Sequence, residues 1–126
     1  METIQPKHIL IVDDSPEQRF LLKYLLESKG YTTESTSNGE EALILLRSRK
    51  DKPQTILLDM NMDTMDGFQF RKIQSADPSL RNIPVIVVSG EEDMKSIQIK
   101  MRSEVVKKPL SISSLMDVLK RNSRLH

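Results

Sequence analysis

Three short runs constrain this chain more than anything else in it: His8-Ile9-Leu10-Ile11-Val12, Gln54-Thr55-Ile56-Leu57-Leu58 and Ile83-Pro84-Val85-Ile86-Val87-Val88. Each is of strand length and almost continuously apolar, so each reads as a β-strand covered on both faces. Two weaker strands complete the set. Tyr31-Thr32-Thr33-Glu34-Ser35-Thr36 has strand propensity but little hydrophobicity, and Val105-Val106 is short, so both suit the edges of a sheet.

Helical patterns separate these runs. Ser15-Pro16-Glu17-Gln18 offers a serine cap, a proline at the first helical position and a glutamine for a capping box. Leu21, Leu22, Leu25 and Leu26 supply the buried stripe of that helix, and Gly30 closes it. Asn38-Gly39-Glu40-Glu41 opens a second helix with Ala42, Leu45 and Leu46 on one face. Asp66 caps a third with Gln69 as box partner, and Met65 and Phe70 have the spacing of a hydrophobic staple. Met94, Ile97 and Met101 mark a weaker fourth helix, and Leu115, Val118 and Leu119 a fifth with basic residues toward its end. Strands alternating with helices predict a doubly wound parallel α/β sheet. Placing the apolar strands centrally gives the flavodoxin-like order 2-1-3-4-5.

At 126 residues the chain is of single-domain size, with no internal repeat and no second composition. Its 19 lysines and arginines against 18 acids leave a net charge of only +1, so no general attraction to nucleic acid or to a membrane surface is expected. The absence of cysteine excludes disulfides and thiolate metal sites. Residues Met1 to Pro6 lack signal-peptide character, and no apolar run reaches spanning length. The expectation is a cytoplasmic protein.

In an open α/β sheet, ligands bind beyond the carboxyl ends of the strands, near the switch point between strands one and three. Asp13 and Asp14 follow the first strand, Asp59 the third, Ser89 the fourth and Lys108 the fifth. Taken singly, most have a plain alternative: Asp59 a turn cap, Ser89 a helix cap, Lys108 a solvated lysine. Their joint placement on one rim favours function. Clustered carboxylates raise one another's pKa unless a cation joins them. Oxygen ligands without cysteine or histidine point to a hard, partly hydrated ion such as Mg²⁺, with Mn²⁺ as the alternative. Lys108 supplies a point charge and Ser89 a hydroxyl, while the backbone N–H groups of Met60 and Gly90 flank the same place. These are the parts of a phosphoryl-transfer site, with Asp59 as the nucleophile. His8 reads as an ordinary strand-start residue. No histidine stands on the rim to carry phosphate, so the donor must come from outside.

The segments Ile11-Val12-Asp13-Asp14-Ser15, Leu58-Asp59-Met60-Asn61-Met62, Met65-Asp66-Gly67, Val87-Val88-Ser89-Gly90 and Lys107-Lys108-Pro109 together resemble the receiver domain of two-component response regulators. The likeness runs from about Lys7 to Leu125, essentially the whole chain. It implies that Asp59 accepts a phosphoryl group from a phosphohistidine on a sensor kinase or phosphotransfer protein. It further implies that Asp14 and Asp59 hold the metal directly, Asp13 through water and Asn61 through its backbone carbonyl, while Ser89 and Lys108 grip the phosphoryl oxygens. Slow self-hydrolysis would reset the switch, and a downstream effector would meet the face of the last two helices of a monomer or weak homodimer. Three positions depart from the family pattern. Asp63 replaces a usual proline, Met101-Arg102 stand where Gly-Ala is common before strand five, and Val105 replaces the usual Tyr or Phe of the switch. Phosphorylation chemistry is therefore expected to persist with an altered output. Two competing readings are a receiver-like binding module that works without phosphate and a metal-dependent phosphatase with an aspartate nucleophile. The second lacks an Asp-x-Asp after the first strand and a cap domain.

Overall fold

The structure, a computed structural model, describes residues 8–60, 62, 64–90, 97 and 103–124. Its elements run β1 (His8–Val12), α1 (Pro16–Ser28), β2 (Thr32–Thr36), α2 (Gly39–Ser48), β3 (Thr55–Asp59), α3 (Gly67–Ala76), β4 (Val85–Ser89), β5 (Glu104–Lys107) and α4 (Ile112–Arg124). The expected helix around Met94 and Met101 lies outside the described residues apart from Ile97, which is helical and buried.

All five strands pair in parallel in the order β2-β1-β3-β4-β5, the flavodoxin-like arrangement. Every residue of β3 and β4 is buried, whereas β2 is part-exposed along its length, as apolar runs at the centre and a polar run at the edge require. Side chains alternate across the sheet and feed two cores. Leu10, Val12, Ile56, Leu58, Val85, Val87 and Val105 point to one face, where Leu43 and Leu46 of α2 and Phe70 of α3 cover them. Ile9, Ile11, Leu57, Ile86 and Val106 point to the other, under Leu22 and Leu26 of α1 and Leu115 and Leu119 of α4. No helix among the described residues is long and apolar enough to cross a membrane.

The helix ends refine the reading of the sequence. Asp66 and Gln69 form the full capping box, each side chain bonding the other's backbone N–H. At α1 only half of the box forms. Ser15 accepts from the Gln18 N–H, but the Ser15 N–H goes to Asp13 Oδ1 at 2.9 Å instead of to Gln18. Glu41 reaches one residue past its cap, accepting from the N–H and hydroxyl of Ser37. The α1 stripe is narrower than four leucines: Leu22 and Leu26 are buried, Leu25 is half-buried and Leu21 is 46% exposed. Gly30, at φ 93°, ends α1 in a Schellman turn, with its N–H on the Glu27 carbonyl and the Tyr31 N–H on the Leu26 carbonyl.

Candidate functional site

Parallel pairing sends every strand's carboxyl end to one edge of the sheet, and β1 and β3 lie side by side there. Asp59 is the last residue of β3, opposite Val88 of β4, and only 3% exposed. Asp13 follows β1, its N–H bonded to the Thr36 carbonyl of β2, and is 2% exposed. Asp14 next to it turns outward into solvent. One carboxylate oxygen from each of these three acids lies within 4.8 Å of the others.

Two charges buried side by side are costly unless something answers them. Lys108 answers one: its Nζ is 3.1 Å from Asp59 Oδ1. Its aim follows from the ladder. Ser89 of β4 pairs with Lys107 of β5, and the Lys108 N–H continues that ladder onto the Ser89 carbonyl at 2.8 Å. The Lys108–Pro109 peptide is cis. Ser89 itself is fully buried beside this junction. Burial pushes the Asp13 carboxyl above its ordinary pKa; the Ser15 N–H opposes this, the charge of Asp59 adds to it, Lys108 opposes it and Asp14 adds a little more.

After β3, Met60 and Gly67 approach each other closely. The Gly67 N–H bonds the Met60 carbonyl at 3.2 Å, and a Cβ at residue 67 would meet Met60 Sδ at 2.7 Å and Met60 Cα at 3.2 Å. The Asp66-Gly67 pair thus does two jobs, a cap and a close backbone approach. The Met60 N–H is engaged with the Val88 carbonyl at 3.2 Å, so it is not a ready donor toward the acids as the sequence reading had it. Among the described residues, nothing lies within 4 Å of a Cβ added at Gly90. Asn61 and Asp63 lie outside the described residues. Val105 is 8% exposed, paired with Val87 and in the same apolar cluster as Ile97.

One residue at the site escaped the sequence reading. Arg19 of α1 donates from Nη1 to the Asp13 carbonyl at 2.7 Å. The signal was present in its position: one turn after the Ser15 cap, a helical side chain leans back toward the N-terminus and so toward the end of β1. A separate cleft of about 810 Å³ between α2 and α3, lined by Arg47, Lys72, Ile73 and Asp77 among others, contains none of the rim residues.

A buried strand-end carboxylate, two neighbouring acids, a lysine from a distant strand and a set of purely oxygen donors suit a hard divalent cation and a phosphoryl group. Known proteins resemble this chain over most of its length. The model of the response regulator receiver domain matches residues 9–120. The polar-differentiation response regulator DivK of Brucella anthropi is 34% identical over 119 residues, covering 91% of this chain and 94% of that protein. PilH of Pseudomonas aeruginosa is 36% identical over 84 residues, covering 67% and 68%. Among solved structures, the receiver domain of a signal transduction histidine kinase from Syntrophus aciditrophicus superposes with TM-score 0.81 at 34% identity, covering 92% of this chain and 89% of that one. Vibrio cholerae chemotaxis protein CheY4 gives TM-score 0.81 at 26% identity, covering 92% and 98%. The chain belongs to the response regulator receiver domain family.

Proposed function

We propose that this receiver is a phosphorylation-dependent switch whose phosphoacceptor is Asp59. The observation that carries the reading is the convergence of three acids within 4.8 Å, one of them buried in β3 and paired with Lys108. An Asp59 oxygen attacks the phosphorus of a phosphohistidine on a sensor kinase or phosphotransfer protein. The P–N bond breaks, the imidazole leaves and takes up a proton, and Asp59 carries an acyl phosphate. Lys108 then transfers its charge from the Asp59 carboxylate to a phosphoryl oxygen, and the Ser89 hydroxyl donates to another. Gly90, an exposed residue next in the chain to Ser89, offers its N–H as a further donor, and the Met60 N–H contributes once it leaves the Val88 carbonyl.

Asp14 and Asp59, with Asp13 through water and the Asn61 carbonyl, are the residues that would hold Mg²⁺. Held by these residues, such an ion would supply positive charge against the phosphoryl oxygens. Water later attacks the phosphorus of the acyl phosphate, releasing inorganic phosphate and restoring Asp59. The kinase and the effector, at the face of the last two helices, are further parts of this proposal.

The test is incubation with Mg²⁺ and acetyl phosphate. A gain of one phosphate mass, labile to hydroxylamine and missing from Asp59→Asn, is the expected result; an unmodified wild type would sink it. Val105 favours a second reading, because a small stiff side chain buried against Val87 cannot swing as a large ring does. On that reading the domain binds its partner without phosphate, and wild type and Asp59→Asn would bind it equally.

A further inference from the structure

The rim contains a cation that the phosphorylation scheme does not use. Arg19 sits half-buried on the first turns of α1, and its guanidinium bonds the carbonyl of Asp13 at 2.7 Å. That carbonyl belongs to the peptide joining Asp13 to Asp14. The plane of this one peptide therefore decides where the Asp14 carboxylate stands relative to Asp59. Two further bonds hold the backbone on either side of it: the Asp13 N–H on the Thr36 carbonyl at 3.2 Å and the Ser15 N–H on Asp13 Oδ1 at 2.9 Å. Arg19 holds the carbonyl of the peptide itself. An exposed aspartate on a loop has many positions open to it, and a metal ligand needs one.

The geometry points to Arg19 as a positioning residue for the metal site, holding the Asp13–Asp14 peptide so that the Asp14 carboxylate meets the ion. This rests on the Mg²⁺ part of the proposed function, not on phosphoryl transfer itself. The observation behind it is the direct hydrogen bond from Arg19 Nη1 to the Asp13 carbonyl at 2.7 Å.

The two possible roles of Arg19 differ in sign. If the guanidinium were only a nearby positive charge, removing it would deepen the negative field and tighten Mg²⁺ binding. If it positions the peptide, removing it weakens binding, by about 10-fold as for other outer partners of metal ligands. The experiment is isothermal titration of the full chain with Mg²⁺, repeated by Mn²⁺ electron paramagnetic resonance. Arg19→Met keeps the aliphatic stem and removes the donors; its dissociation constant should rise about 10-fold. Arg19→Lys keeps the charge and one donor of different reach, and should lie between Met and wild type. Urea midpoints measured without metal separate loss of affinity from loss of fold. If Arg19→Met is too unstable to titrate, Arg19→Gln takes its place with the same expected direction. Unchanged or tighter Mg²⁺ binding in the Met or Gln variant would overturn the assignment. A wild type that binds Mg²⁺ but takes up no phosphate would sink the phosphorylation reading and leave this one standing.

Discussion

Asp13→Asn should make the metal-free protein more stable. Asp13 is 2% exposed and faces two like charges, Asp59 and Asp14, with Lys108 as the opposing one. For carboxylate oxygens within 4.8 Å of one another, a pair of full charges repels by about 3 kcal/mol at an effective dielectric near 20, and by about 1 kcal/mol in bulk water. Lys108 cancels roughly one of the two repulsions, so the net gain on removing the Asp13 charge is about 2 kcal/mol. Asparagine keeps the Oδ1 that accepts from the Ser15 N–H at 2.9 Å, so the turn into α1 survives.

The pH profile carries the sign. The folded-state pKa of Asp13 is raised, first by burial, so its contribution to stability is full below the unfolded value near 4 and is lost as pH rises through the raised one. Wild type and Asp13→Asn should therefore be about equally stable in acid, and the variant's advantage should open as the pH climbs toward neutrality. Mg²⁺ closes it again. At a hundredfold excess over its dissociation constant the ion stabilises wild type by about 2.7 kcal/mol, and a variant lacking one acid gains less. Urea unfolding in EDTA and in Mg²⁺ at several pH values checks all three statements. An Asp13→Asn protein less stable than wild type in EDTA at neutral pH would refute the reasoning, as would an advantage indifferent to Mg²⁺.

Gln74, fully buried on α3, donates from Nε2 to the carbonyls of Leu80 and Ile83 at 2.9 and 3.1 Å. Gln74→Leu strands the Ile83 carbonyl, while the Leu80 carbonyl keeps the Ile83 N–H, and should cost about 2 kcal/mol in urea unfolding. Gly30→Ala meets no obstacle within 4 Å but must hold a φ of 93°, so it should lose about 1 kcal/mol, read as a thermal midpoint about 4 °C lower. His8 bonds Thr32 Oγ1 through Nδ1 and Glu34 through Nε2, yet its pKa is lowered, first by burial and then by Arg49, which shares the Glu34 carboxylate. It should titrate below 6.5 by proton NMR, with the stability it lends present above that value and lost as pH falls through the lowered one; a value above 6.5 would show that Glu34 dominates.

The sheet was legible because burial on both faces leaves a plain mark: β1, β3 and β4 are apolar without alternation, and the flavodoxin-like order puts all three inside. The rim was legible for the same reason, since Asp13, Asp59 and Ser89 end those very runs. What the sequence hid are contests for a single backbone group. Ser15 followed by Gln18 three residues later satisfies the pattern of a capping box, but Asp13 Oδ1 stands nearer and takes the Ser15 N–H. Leu21 matches the helical spacing of Leu22 and Leu25, yet α1 lies on the sheet along Leu22 and Leu26, and the outer side carries Phe20, Leu21 and Tyr24. Arg19 and Gln74 both serve carbonyls distant in sequence. Periodicity speaks of faces and says nothing of such partners.

Polar burial has different meanings at the two edges of this sheet. Among the described residues, the buried polar side chains are Asp13, Thr55, Asp59, Gln74 and Ser89. At the amino edge Gln74 donates to the carbonyls of Leu80 and Ile83, and the whole account is structural. Thr55, at the start of β3, leaves its hydroxyl without a partner, a small local cost at a position where valine would fit the same shape. At the carboxyl edge the cost is of another order. Two acids sit under 4% exposed within 4.8 Å of a third, and one lysine, itself one-third exposed, stands against them. A fold optimised for stability would place neutral side chains here, since removing one charge is worth about 2 kcal/mol. On the proposed reading a divalent cation would make good the deficit of positive charge, and the lysine that pairs with Asp59 is the group that a phosphoryl oxygen would draw away. The charge crowding at the rim and the proposed phosphoryl chemistry would then be one property, so the variants that relieve the first should be the ones that lose the second.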